Sequence, residues 1–466
     1  MLQGLRKIGR FVRESMLHAS PARIAVASFA AVILFGALLL TLPISSEARV
    51  WTDPVDALFT STSAVCVTGL IVKSTPDHWS LFGELVILGL IQIGGLGIMT
   101  LGAFVAIMLQ RRLSMRFESV MADIVEADAG ESVWGMVWFI CLLTLVLEVI
   151  GAVTLHFSWR GHFEGFWPCF YHSVFHSISA FCNAGFSLNN DSLVQFADSV
   201  PVNLIVTGLI IFGGIGFMVV RELLGYGRWW VAERKGKRPR LSTHTRIVLL
   251  VTGVLLGAGF LGFFAIESLG SMSEAPLKTR VLTAWFQSVT PRTAGFNTVD
   301  TGAAALSQAT AFMLMVLMYI GGSPGSTAGG IKTSTLGVMV SSIAATLRGR
   351  EKAEMFHHSI PEETVHRVAS IILLSVVAVV VGVFLLLITE TASFQKIAFD
   401  AISAFGTVGL SQGLTGPNCD VTAWGKLVLT GLMFIGRLGP VTLMLSVAQL
   451  VETATYEYPE GRVMVG

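Results

Sequence analysis

Val67-Thr68-Gly69-Leu70 closes a short apolar segment that starts at Pro54, and the same arrangement returns three times. The copies are Asn183-Ala184-Gly185-Phe186, Thr293-Ala294-Gly295-Phe296 and Thr407-Val408-Gly409-Leu410. Successive glycines are 116, 110 and 114 residues apart. An aromatic stands ten positions before each glycine, at Phe59, Phe175, Trp285 and Phe399. A serine stands six before it in three copies, Ser63, Ser179 and Ser403, while the third copy has Val289 there with Thr290 beside it. Each match is weak alone, but four coincident copies mark an internal repeat.

The chain around these copies is apolar. It is 53% hydrophobic and 13% charged, against ~25% charged in soluble domains. Runs such as Ala22–Leu42 and Thr364–Leu387 reach the ~20 residues that cross a bilayer. The expectation is an all-α integral membrane protein with about eight spanning helices. Its net charge of +1 is uninformative, whereas the placement of charge is not. Basic residues crowd Arg6–Arg23, Arg111–Arg116, Arg221–Arg246 and Arg348–Lys352, and are sparse around the glycine motifs. By the positive-inside rule both termini are cytoplasmic and the motif segments enter from outside. Arg234–Arg240 then reads as a topology signal and not as a nucleic-acid patch. The first apolar stretch is too long for a cleaved signal peptide. Cys66, Cys141, Cys169, Cys182 and Cys419 lack metal-ligand spacing and read as small buried residues.

The repeats divide the chain at 1–115, 116–235, 236–352 and 353–466. Each reads as a spanning helix, a short descending helix, a glycine segment and a return helix, with the four copies surrounding one central pore. Pro54–Ala64 and Phe394–Ala404 are too short to span, so they re-enter. Re-entrant backbone is tolerated at membrane depth only against protein or a water-filled cavity. A cation that sheds its hydration shell needs replacement oxygens, which rings of backbone carbonyls supply. Glycine adopts the required backbone angles without penalty, and the negative ends of four short helices favour a cation between them. The expected filter is Val67, Thr68 and Gly69, Asn183, Ala184 and Gly185, Thr293, Ala294 and Gly295, and Thr407, Val408 and Gly409, with potassium held by their carbonyls.

Ser63-Ala64-Val65-Cys66-Val67-Thr68-Gly69-Leu70 and Phe181-Cys182-Asn183-Ala184-Gly185-Phe186 resemble pore loops of the Trk/Ktr/HKT potassium transporter superfamily. So do Thr293-Ala294-Gly295-Phe296-Asn297 and Phe405-Gly406-Thr407-Val408-Gly409-Leu410-Ser411, and the resemblance covers nearly the whole chain. One span ahead of the first loop and the ending Tyr456-Glu457-Tyr458-Pro459-Glu460-Gly461 make it most similar to the KtrB-type membrane subunit. The resemblance implies channel-like potassium uptake across the cell (inner) membrane, with potassium preference from four glycines and some sodium leakage. It also implies no bound cofactor, sodium as a stimulating ion, and a homodimer in membrane lipid with one pore per subunit. A cytoplasmic KtrA-type nucleotide-binding ring would regulate it, through Arg228–Arg246, Arg348–Glu363 or the C-terminal tail. The alternative is a sodium- or proton-coupled potassium carrier. Inverted repeats would favour that carrier, whereas these copies keep one orientation by charge.

A second pattern follows each filter: Ile93-Gly94-Gly95-Leu96-Gly97, Phe212-Gly213-Gly214-Ile215-Gly216, Ile320-Gly321-Gly322-Ser323-Pro324 and Ile435-Gly436-Arg437-Leu438-Gly439. In the first two copies close helix packing is the preferred reading over a kink. The third expands into Gly321, Gly322, Ser323, Pro324, Gly325, Ser326 and Thr327, with Lys332 beyond, and cannot stay helical. Unwound backbone at this depth borders a cavity, so the stretch is expected to gate the pore, as the matching loop does in the superfamily. In the fourth, Arg437 would raise the barrier to cations beneath the filter or anchor the loop's carbonyls, with Glu148, Glu222 and Glu267 as candidate carboxylate partners.

Other motifs carry less. Gly257-Ala258-Gly259-Phe260-Leu261-Gly262 spells a dinucleotide fingerprint inside an apolar span, and Gly325–Thr333 misses the phosphate-cradling loop by one residue. His172 and His176 share a helix face without further metal ligands. No spacing of serine, histidine and acid suggests an enzyme.

Overall fold

A computed structural model describes residues 21–97, 133–231, 240–302, 306–417 and 420–447. The basic residues at 6–13, 111–116 and 234–238, Cys419, the tail at 456–461 and the repeat borders at 115 and 235 lie outside the described residues. The described chain is almost wholly helical. Its long helices are α1 (Pro21–Thr41), α4 (Val133–Trp159), α8 (Thr243–Leu269) and α12 (Glu362–Thr389). Between them run α2 (Pro54–Val65), α3 (Leu81–Leu96), α5 (Phe166–Phe181), α6 (Val200–Gly214), α7 (Phe217–Val231), α9 (Leu277–Val289), α10 (Gln308–Tyr319), α11 (Thr333–Leu347), α13 (Phe394–Gly406), α14 (Ala423–Leu438) and α15 (Pro440–Val447). One small hairpin, β1 (Glu354–Met355) with β2 (His358–Ser359), joins α11 to α12.

Four helices are long and apolar enough to cross a membrane, and two bent pairs bring the number to six among the described residues. Only 17–33% of the most apolar windows of those four is buried in the protein. Leu145, Val153, Leu261, Val380 and Phe384 point outward, as lipid requires. The chain is a multi-pass membrane protein.

The short helices α2, α5, α9 and α13 are the buried interior. Pro54 opens α2 at a position where its missing N–H costs nothing, and Asp53 caps it by accepting from Val55 N at 2.8 Å. Phe59, Phe175 and Phe399 are completely buried as the spacing predicts. In the third copy the buried ring is Phe286, while Trp285 is only half-buried and donates from Nε1 to Thr207 Oγ1 at 3.1 Å. The third copy is therefore shifted by one residue.

The glycine pattern after each filter both packs and breaks a helix. A Cβ on Gly94, Gly213 or Gly436 would collide with the carbonyl of Val65, Phe181 or Phe405, the residue four before each filter glycine. In these three copies the last glycine of the pattern then takes a positive φ, +81° at Gly97, +99° at Gly216 and +84° at Gly439. At Gly216 the path turns by 106° from α6 into α7, so the kink, and not packing alone, operates in the second copy. A turn of 94° separates α14 from α15.

Candidate functional site, a glycine ring over a glycine loop

Each short helix ends in the same backbone shape. Two residues before the glycine a non-glycine residue takes a left-handed φ: +57° at Val67, +60° at Asn183, +71° at Thr293 and +51° at Thr407. The glycines follow at +88°, +70°, +74° and +96°. Side chains disfavour both positions, so the conformation must be held from outside.

The holding groups are the predicted hydroxyls. Gly69 N donates to Ser63 Oγ at 3.1 Å, and Gly409 N to Ser403 Oγ at 3.1 Å. In the second copy Ser179 Oγ instead donates to Phe186 O at 2.8 Å. In the third, Thr290 Oγ1 donates to Phe296 O. The hydroxyl missing at Val289 is thus supplied one residue later, with the same shift that exchanges Trp285 for Phe286.

The four segments meet in a closed cycle. A Cβ on Gly69 would stand 3.0 Å from Gly185 Cα, and one on Gly185 would stand 3.0 Å from Gly295 Cα. One on Gly295 would stand 3.2 Å from Gly409 Cα, and one on Gly409 3.1 Å from Gly69 Cα. Each would also collide with the carbonyl before its neighbour, on Ala184, Ala294, Val408 and Thr68 in turn. Sequence order is thus spatial order, and the carbonyls of Thr68, Ala184, Ala294 and Val408 crowd the ring.

On the side that the chain reaches after the glycines lies a cavity of about 520 Å³. Asp191 and Asp300 are among its lining residues, and none of them is lysine or arginine. Its potential therefore favours cations.

Residues 320–332 lie on the opposite side. Ile320 and Ile331 form a parallel bridge, with Gly321 N donating to Ile331 O at 2.9 Å and Thr333 N to Gly322 O at 3.0 Å. The excursion docks on α6: Ser323 N donates to Gly214 O at 2.9 Å and Thr327 N to Gly213 O at 3.1 Å. Phe217 N donates to Gly325 O at 2.8 Å, and Thr327 Oγ1 to Phe181 O at 3.2 Å. Pro324 turns against Gly216, and Ser326 Oγ donates to Ser323 O at 2.6 Å. A Cβ on Gly329 would strike Thr407 of the fourth filter segment. The loop therefore lies directly against the base of the ring.

Two cationic side chains brace the loop. Lys332 Nζ donates to Ala328 O at 2.7 Å. Arg437 donates from Nη1 to the Thr327 carbonyl and from Nη2 to Gly94 O at 2.5 Å. The three carboxylates considered from sequence bond elsewhere. Glu148 accepts from Gln92 Nε2 at 3.3 Å, Glu222 from Ser242 N at 2.9 Å, and Glu267 from Ser307 Oγ at 3.0 Å.

Three buried charges went unnoticed in sequence. Asp400, wholly buried on α13, accepts from Ser411 Oγ at 2.7 Å, Gln412 N at 3.0 Å, Thr415 N at 2.9 Å and Thr415 Oγ1 at 2.8 Å. Asp56 on α2 pairs with Lys426 of α14 at 2.5 Å and with Lys73 at 3.4 Å. Arg292 follows α9 and donates to Gly321 O at 3.2 Å. A charge inside an apolar segment is itself the signal that would have found them. His176 donates from Nδ1 to His172 O (2.8 Å) and hydrogen-bonds through Nε2 to Ser187 Oγ (3.0 Å), tying its helix to the segment after the filter.

The sequence matches the family model described as TrkH, cation transport protein, over residues 15–458. It is 38% identical to potassium/sodium uptake protein NtpJ of Enterococcus hirae, over 96% of this chain and 97% of that protein. It is 39% identical to Ktr system potassium uptake protein B of Vibrio alginolyticus, over 95% and 94%, and 36% identical to the protein of that name from Bacillus subtilis, over 96% and 97%. The crystal structure of the potassium transporter TrkH from Vibrio parahaemolyticus superposes with a TM-score of 0.67 at 22% identity, covering 90% of this chain and 84% of that one.

Proposed function

The chain belongs to the TrkH family of cation transport proteins, and we propose that it takes up potassium through the ring of Gly69, Gly185, Gly295 and Gly409. The carrying observation is the closed cycle, in which every glycine abuts the carbonyl before the next. Four re-entrant segments around one axis give an ion carbonyl oxygens from all sides, the arrangement that replaces a hydration shell. The anionic cavity of about 520 Å³ would concentrate cations at its entrance.

The loop at 320–332 is the gate. Its hydrogen bonds join it to the second repeat at Gly213 and Gly214 and, through Arg437, to Gly94 of the first. In this reading the loop has two arrangements, docked as seen here or released, and release clears the base of the ring.

In this reading the protein is channel-like, lies in the cell membrane with both termini cytoplasmic, and works as a homodimer. A nucleotide-binding ring of the KtrA kind docks on the cytoplasmic face. The relatives named for the Ktr system support a regulatory subunit, and the basic hairpin region with Arg348, Arg350 and Lys352 offers a surface for it.

Potassium and sodium flux into liposomes holding the purified chain and a Gly69→Ser variant tests the filter. We expect potassium preference that weakens in the variant. Flux indifferent to the substitution, or seen only with an imposed sodium or proton gradient, would favour a coupled carrier.

A further inference from the structure

Arg292 is buried to 7% exposure in the turn between α9 and Gly295. Among the described residues its hydrogen-bond acceptor is a backbone carbonyl, Gly321 O, reached by Nη2 at 3.2 Å. Its Nη1 has no partner there. A guanidinium buried without a carboxylate is expensive and is usually retained for a task.

Its place suggests the task. Gly321 and Gly322 are the first strand of the loop's stem, bridged to Ile331 and Thr333. Arg437 holds the loop from the other side, at Thr327. Two arginines, from the third and fourth repeats, thus grip one loop at its stem and at its tip.

Arg292 also borders a cavity of about 20 Å³ that Thr252 of α8 and Gly322 share. Thr252 Oγ1 is buried and likewise without a partner. A single water needs roughly 10–15 Å³ and two to four polar neighbours. The Arg292 Nη1 donor and the Thr252 hydroxyl supply two.

We propose that Arg292 is a positioning residue of the gate, fixing the loop's stem at Gly321 directly and through one buried water shared with Thr252. The inference rests on the loop being the gate. It makes the closed state depend on two separate anchors, so losing either leaves the loop partly held. Losing both releases it.

The test is single-channel recording of the reconstituted protein with Arg292→Met, Arg292→Lys, Thr252→Val, Arg437→Ala and the Arg292→Met/Arg437→Ala pair. Loss of one charge-assisted hydrogen bond should raise open probability about tenfold in Arg292→Met, with unitary conductance and potassium preference unchanged. Arg292→Lys should restore closure partly, and Thr252→Val should raise opening about threefold, a smaller effect than losing the guanidinium. The pair should open more than either single variant.

Wild-type open probability in folded Arg292→Met, or a change confined to selectivity, would overturn the assignment. If Arg292→Met does not fold, wild-type opening in both Arg292→Lys and Thr252→Val overturns it equally. Deletion of Ser323–Thr327 separates the two levels. If that deletion leaves flux unchanged, the gate itself is misassigned; if it raises flux while the Arg292 and Thr252 variants do nothing, only the present inference fails.

Discussion

Gly409 lies against Gly69, so that a Cβ on the former would stand 3.1 Å from the Cα of the latter and collide with the carbonyl of Thr68. The contact joins the last copy of the filter motif to the first and closes the ring. It also makes substitution at Gly409 costly twice over, because its φ of +96° is one that side chains rarely adopt.

Gly409→Ala should therefore pay about 1–2 kcal/mol for the backbone alone, and the collision should push Thr68 out of place. We expect a folded protein whose potassium flux falls about tenfold or more and whose preference over sodium weakens. Paired tracer fluxes of the two ions check this; wild-type selectivity would show that the contact is only packing.

The one-residue shift in the third copy predicts an asymmetric pair of results. Thr290→Val removes the donor to Phe296 O and leaves a buried carbonyl unpaired, at about 1–3 kcal/mol. Thr290→Ser should be close to neutral, since the hydroxyl survives. Val289→Ser adds a hydroxyl where spacing alone asks for one, yet should improve neither stability nor selectivity. Thermal unfolding of the three purified variants, with flux ratios beside it, decides between the shifted and unshifted registers.

That shift shows where reading the sequence stopped. The glycines were legible because a left-handed backbone position is a local demand that few residues meet. The helical membrane class and the family were legible from apolar length and from motifs at matched spacing. The choice of Phe286 over Trp285 was not, because it depends on where α9 ends and on which hydroxyl caps the filter. At Gly216 the pattern favours packing over a kink, and only the course of α7 reveals the kink. For Arg437 the sequence offers the loop's carbonyls as well as a carboxylate partner, but it does not show that Thr327 O is the carbonyl within reach. Arg292 and Asp400 escaped notice because each is a single charge with no repeated counterpart.

Arg437 makes two charge-assisted hydrogen bonds, to Thr327 O and Gly94 O, each worth about 1.5–3 kcal/mol. Arg437→Ala should loosen the loop and raise potassium flux about tenfold or more. Deleting Ser323–Thr327 should raise it further, because the excursion itself is gone. Rates measured in liposomes at matched protein content test both. Lower or unchanged flux in correctly folded deletion protein would remove the loop from the gating role.

Asp400 predicts a change in stability and in the shape of the entrance together. Four donors converge on its carboxylate, three of them from Gln412 and Thr415 in the segment after the fourth filter. The fourth, Ser411, lines the anionic cavity. Asp400→Ala would orphan these donors in a buried site, a loss of about 3 kcal/mol or more. Asp400→Asn keeps the shape and one acceptor oxygen but turns an amide toward donors, so it should lose less. Both variants should lower the temperature of unfolding in detergent, alanine more than asparagine. Because the segment they free carries Leu410 and Ser411 directly beyond Gly409, potassium flux should fall in parallel. A variant with wild-type thermal stability would mean that solvent replaces the carboxylate and that the buried site is open to water.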